Sequence, residues 1–137
     1  MHKRIILAIF AIIVCIVSVG AVKKNPINSK IDFEGQGFEK MKTTAYCMGH
    51  HTANGSAVHE GGCACSPDHI GDVAIVYTLG GEFIGYLECN DTAGPDSAVT
   101  AGKVLDVYKP TLDMCQDYME MVGESQSVWV MWVKGDG

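Results

Sequence analysis

A chain of 137 residues with one long apolar run at its N-terminus has room for a single small folded domain and not for two. Sixteen glycines against four prolines point to tight turns rather than to a disordered linker. From Thr43 onward three lysines face thirteen acids, a field that repels phosphate backbones; this argues against nucleic acid as a partner and favours a largely uncharged ligand held by hydrogen bonds and aromatic faces.

Ile5 to Val22 is eighteen residues without a charge, bracketed by Lys3-Arg4 and Lys23-Lys24. As a helix it would span roughly 27 Å, close to the hydrocarbon thickness of a bilayer. Residues 1–24 are therefore expected to form a transmembrane signal anchor, or a signal peptide if Val19-Gly20-Ala21 is cleaved. Five cysteines, Cys47, Cys63, Cys65, Cys89 and Cys115, follow this run. That density suits a domain outside the cytoplasm, either tethered to the cell membrane by one pass or secreted after cleavage. The odd count leaves one thiol over.

Residues 25–40 mix Asn, Ser, Gly and charge without a period and read as a tether. Residues 41–137 then carry short apolar or β-branched runs: Met41 to Cys47, Asp72 to Leu79, Glu82 to Asn90, Lys103 to Tyr108 and Ser127 to Lys134. Each is bounded by Gly, Asn, Asp or Ser and is expected to be a strand. Leu79-Gly80-Gly81-Glu82 predicts a hairpin turn. Pro110 to Val122 breaks the pattern, spacing Leu112, Cys115, Met119 and Val122 at helical steps before a terminating Gly123. Its methionines read as packing atoms. Several strands and one short helix predict an all-β fold, a small closed barrel.

Two aspartates stand out because they lie in or beside apolar runs. On a strand from Val104 to Tyr108, Asp106 shares a face with Val104 and Tyr108, while Leu105 and Val107 face the other way. Such a carboxylate either has its pKa raised by burial or caps a turn by accepting backbone N–H bonds. Asp91 follows an apolar strand and opens Asp91-Thr92-Ala93-Gly94, where an Asx turn is the simplest reading and a partner for Asp106 the more consequential one. His50, His51, His59, Cys63, Cys65 and His69 crowd into twenty residues and raise zinc. Their spacing is poor for it, with His59 and Cys63 the only plausible start; disulfides are preferred, one option placing Cys47 with the Cys63-Cys65 loop, and the pairing stays open.

Six short stretches occur in a telling order: Thr44-Ala45-Tyr46-Cys47, Ser66-Pro67-Asp68-His69-Ile70-Gly71, Phe83-Ile84-Gly85, Asn90-Asp91-Thr92-Ala93-Gly94, Gly102-Lys103-Val104-Leu105-Asp106-Val107-Tyr108, and Val128-Trp129-Val130. Together they resemble the 3D domain, a family named for three aspartates and related to the catalytic domain of MltA-type lytic transglycosylases. The resemblance implies a double-psi β-barrel that cleaves the glycan strands of peptidoglycan and demands no metal; the domain is expected to act as a monomer without a cofactor. Asp91 matches the aspartate of the family's D-T-G-G motif and Asp106 the one in its apolar-Asp-apolar-aromatic motif. Asp68 stands for the first aspartate, although the family often places that residue before the proline, where this chain has Ser66. Tyr46, Thr92 and Gly94 fall at positions expected to contact substrate. Ala93 replaces a motif glycine, and the Pro95 to Ala101 connection is longer than usual. These departures leave room for a wall-binding module of the same fold without turnover.

Overall fold

The computed structural model describes residues 31–49 and 51–136. In chain order the elements are β1 (Glu39–Tyr46), β2 (Gly62–Ala64), a 3-10 turn (Pro67–His69), β3 (Val73–Thr78), β4 (Phe83–Asp91), β5 (Val104–Tyr108), α1 (Leu112–Val122) and β6 (Ser127–Val133). The expected membrane segment lies outside the described residues, as does His50; among those described, no helix is long and apolar enough to cross a membrane.

Alternation fixes which way each strand faces. In β5, Leu105 and Val107 are buried, whereas Val104, Asp106 and Tyr108 face away from the core; β3 buries Ala74, Val76 and Thr78 by the same period of two. Side by side in the order β1-β5-β2-β4-β3-β6, the strands close into a barrel, so no strand is left with an unpaired edge. The pairs β1/β5 and β2/β4 run parallel, and the other four are antiparallel.

The interior is filled by Met41, Cys63, Ala74, Val76, Leu87, Cys89, Leu105, Val107, Val128 and Val130, joined by Tyr118 and Val122 from α1. Each large apolar side chain buried there contributes about 1.5–3 kcal/mol. Thr43 is one of the buried polar residues, and its hydroxyl is satisfied. Its hydroxyl donates to the Leu105 carbonyl at 2.9 Å, which leaves the Tyr118 hydroxyl as donor in the 2.7 Å bond between the two side chains. That bond ties α1 to β1.

Thr111 caps the start of α1 by accepting from the Met114 N–H, and Gly123, at φ 77°, ends it with its own N–H on the Met119 carbonyl. The helix start and stop agree with the spacing. Its buried face does not wholly agree: Cys115, Tyr118 and Val122 are buried, while Leu112 is 64% exposed. The β3–β4 hairpin turns at Gly81, at φ 91°, whose N–H donates to the Thr78 carbonyl.

Part of the stretch read as a tether is packed. Phe33 and Phe38 are buried, Phe33 stacking on Trp129 and both rings meeting Tyr77. A chain segment that brings two aromatic rings into contact with the barrel gains more from their burial than a solvated linker could.

The outer face of β6, β3 and β4 is apolar in successive rows, Trp129–Tyr77–Phe83 and Met131–Ile75–Tyr86. Phe33 and Phe38 cover Trp129 and Tyr77 of the first row, while Phe83 at its end is exposed and in the second row Tyr86 is 67% exposed. At the entrance to β3, buried Asp72 accepts from Lys134 at 3.0 Å and from the Gly135 N–H, and sits 3.0 Å from His69 Nδ1. The hydrogen bond from His69, followed by that from Lys134, holds its carboxyl below the usual range. His69 also stacks on Trp132 at 4.0 Å, so this cluster joins the chain's last strand to the start of β3.

Candidate functional site

The site grows from the shortest strand. β2 lies between β4 and β5, and its Ala64 is paired with Asp106 on one side and Asp91 on the other. Neighbouring strands lie about 4.8 Å apart, so the two aspartate backbones are roughly 10 Å from each other with only a methyl side chain between them. Sequence distance and spatial distance part company here.

Asp91 reaches that face through a register shift. Cys63 pairs with Cys89, but Ala64 pairs with Asp91, so Asn90 is an extra residue in β4. Strict alternation would return Asp91 to the core side with Cys89; one inserted residue changes the phase and turns it to the face that carries Asp106. The seam is fixed by a disulfide between Cys65 and Cys89 and by the Cys65 N–H, which donates to the Asp91 carbonyl at 3.0 Å. The Cys47 pairing with the Cys63-Cys65 loop that the sequence offered is not the one formed: Cys65, the residue after β2, joins Cys89 on the neighbouring strand β4, and Cys47, Cys63 and Cys115 are free.

The two carboxylates have different surroundings. Asp106 is partly buried and takes one hydrogen bond, from the hydroxyl of Thr44 opposite it on β1, at 2.8 Å. Burial raises its pKa above the ordinary carboxylate range, the Thr44 bond opposes that rise, and the negative charge of Asp91 adds to it. No backbone N–H caps it among the described residues, so the raised-pKa alternative is the one realised.

Asp91 is held by several donors. The N–H groups of Ala53 and Thr92 donate to its Oδ1 at 3.0 and 2.8 Å, and the Tyr46 hydroxyl approaches Oδ2 at 3.4 Å. The local bond comes from the next residue, Thr92, and not from the second residue on as an Asx turn requires, and the same carboxylate also faces Asp106. Tyr46, packed edge-on against Tyr108 at 5.4 Å, feels both acids: burial first, then the charges of Asp91 and Asp106, push its phenol well above the ordinary range. It remains a neutral hydrogen-bond donor at any physiological pH.

The remaining sequence candidates divide. The Thr92 hydroxyl engages Thr100, whose own hydroxyl donates to the Ala93 carbonyl, so Thr92 braces the connection after β4. Gly94 is exposed and a methyl group there would meet nothing, so the structure gives no steric reason for glycine. Asp68 is exposed on the 3-10 turn, and neither a hydrogen bond nor a charge effect connects it with Asp91 or Asp106. The third acid with a defined role is Asp72, which the sequence reading did not single out.

Thr44 was also given no role, although period two from Tyr46 places both on one face of β1. The histidines disperse: His59 sits beside Glu88 and Asn90, His69 on Asp72. Among the described residues, no three His, Cys, Asp or Glu side chains gather as a metal ion would need.

What the arrangement can do chemically follows from its asymmetry. One acid with an affinity for its proton lies near a second, well-braced acid and a phenol donor, on the outside of a rigid barrel. No family model matches the chain, and no curated protein or solved structure shows significant similarity to it.

Proposed function

We propose that residues 41–137 form a double-psi β-barrel of the three-aspartate type that cleaves peptidoglycan glycan strands as a lytic transglycosylase, with Asp106 as the single catalytic acid. The parallel β1/β5 and β2/β4 pairs within a six-stranded closed barrel support the double-psi reading. The activity rests on one observation above all, the placing of Asp106 and Asp91 on either side of Ala64 with the Asp106 pKa raised. On this reading the apolar Ile5–Val22 run carries the domain across the cell membrane to the wall, as an anchor or as a cleaved signal.

In the proposed reaction the Asp106 carboxyl gives its proton to the glycosidic oxygen as the bond from that oxygen to C1 breaks. The sugar's own C6 hydroxyl then bonds to C1, and its proton returns to the Asp106 carboxylate. The acid is regenerated and a 1,6-anhydro end is left. Because the nucleophile belongs to the substrate, one carboxyl group serves both steps, unlike the paired carboxylates of ordinary glycosidases. Asp91 keeps Asp106 protonated to a higher pH through its charge, and Tyr46 lines the groove as a neutral donor. Asp68 is not needed for either step.

The reading is tested with purified peptidoglycan and an assay for 1,6-anhydro ends. The wild-type domain is expected to produce them and Asp106→Asn to lose about 10²–10⁴-fold in rate with its fold intact. Undiminished turnover in that variant removes Asp106 from the acid role. Glycan binding by the wild type without any product would instead identify a wall-binding module.

A further inference from the structure

Five cysteines follow the apolar run, and the Cys65–Cys89 bond leaves three of them. Their positions differ. Cys63 is fully buried inside the barrel, and burial pushes its thiol up to about 12, which leaves it without a thiolate and without access for an attacking reagent. The other two lie where the chain leaves one end of the barrel twice.

β1 and β5 run parallel and finish together, with Tyr46 opposite Tyr108 and the Lys109 N–H donating to the Tyr46 carbonyl at 2.8 Å. Cys47 is the next residue on one exit. On the other, Pro110 and Thr111 lead into α1, and Cys115 lies in its first turn with its N–H on the Thr111 carbonyl and its side chain turned inward, 7% exposed. Tyr118, the next buried residue along the same face of α1, is bonded to Thr43 of β1, which sets Cys115 toward the end of β1 that Cys47 follows, and Cys47 is near enough to help raise the Cys115 pKa. The charge of Asp106 reaches Cys115 as well, so this junction borders the carboxylate site.

We propose that Cys47 and Cys115 form a second disulfide, which pins the residue after Tyr46 to the first turn of α1 and leaves Cys63 as the one thiol among the described residues. The oxidant is a disulfide compound of the kind present in oxidising compartments. Partly exposed Cys47 attacks one of its sulfur atoms as the thiolate, expelling a thiol and forming a mixed disulfide. Cys115 then loses its proton and attacks the Cys47 sulfur, expelling the second thiol. Two protein thiols are oxidised, one external disulfide is reduced, and both protons leave with the expelled thiols. The inference does not depend on the glycan-cleaving activity, because it rests on the junction alone.

The test uses the full chain, treated with oxidised glutathione, alkylated and digested without reduction. Trypsin cuts after Lys42 and Lys103, leaving Cys47, Cys63, Cys65 and Cys89 on one fragment and Cys115 on another. A disulfide from Cys115 joins the two, and a further digestion at Glu60 tells Cys47 from the other three. The expected product is the Cys115 fragment attached to the piece ending at Glu60, with the link lost in Cys47→Ser. Fragments that stay separate in the wild type, or a Cys115 fragment attached to any piece beyond Glu60, overturn the proposal.

Discussion

The two outer faces of the barrel use the same strand geometry for opposite ends. On β6, β3 and β4 the outward residues are Trp129, Tyr77, Phe83, Met131, Ile75 and Tyr86, and part of this face is covered by Phe33 and Phe38. On β1, β5, β2 and the end of β4 they are Thr44, Tyr46, Asp106, Tyr108, Ala64 and Asp91. The first face stabilises the domain by removing aromatic surface from water. The second holds a carboxyl group whose ionisation the fold disfavours, as the raised Asp106 pKa records. A face that costs stability and is nevertheless built with this degree of bracing is where function is to be sought.

Neighbouring residues of β5 break this contrast most sharply. Leu105 is fully buried, and Leu105→Ala is expected to cost about 2–5 kcal/mol, measured by denaturant unfolding. Asp106→Asn, one residue along, is expected to behave in the opposite sense. A carboxyl whose pKa is raised on folding adds stability below the ordinary carboxylate range and loses it as pH rises through the folded-state value. Above that window the amide is therefore expected to unfold at higher denaturant than the wild type, while the proposed glycan cleavage is expected to collapse. Equal losses of stability from the two substitutions would mean that Asp106 belongs to the packing.

The coupling within the polar face gives a second, smaller effect. In the proposed reaction Asp106 acts as an acid only while protonated, so cleavage is expected to fall as pH rises through its pKa. Asp91→Asn removes the negative charge that contributes to the rise, and the alkaline limb of the rate profile is expected to move to lower pH. A profile of rate against pH in the two proteins measures it. An unmoved limb would show that the two carboxyl groups do not share a site.

Much of this contrast was legible in the chain, for a definite reason. Alternation in Val104–Tyr108 separates Asp106 from Leu105 and Val107 without knowledge of any neighbour, and Gly81 and Gly123 mark ends that their backbone angles require. What depends on a second strand was not legible. β2 is Gly-Cys-Ala, three residues with no β-branched or aromatic side chain; its Gly62 is small because a methyl there would lie 2.9 Å from the Asn90 amide. Without β2 there is no sign of the register shift that turns Asp91 outward, nor of the Cys65–Cys89 pairing across it. Asp68 and Asp72 teach the same lesson. The motif pointed to Asp68, but the acid that gathers donors is Asp72, whose partner Lys134 is contributed by the other end of the domain.

The smallest effect is expected on the apolar face itself, at the end that Phe33 and Phe38 leave bare. Tyr86 is two-thirds exposed and meets Phe83 edge-on at 5.2 Å, so Tyr86→Ser gives up little buried area and one aromatic contact worth about 0.5–1.5 kcal/mol. Its hydroxyl takes no part in the bonding of either carboxylate, and cleavage should be unchanged. Tyr77, by contrast, touches Phe33, Phe38 and Phe83, and its loss would open the covered end of the same face. A Tyr86→Ser protein with near wild-type stability and full turnover would separate the stabilising face from the working one. A loss of turnover in that variant would instead extend the working surface across β4, and the division between the two faces would have to be redrawn at β3.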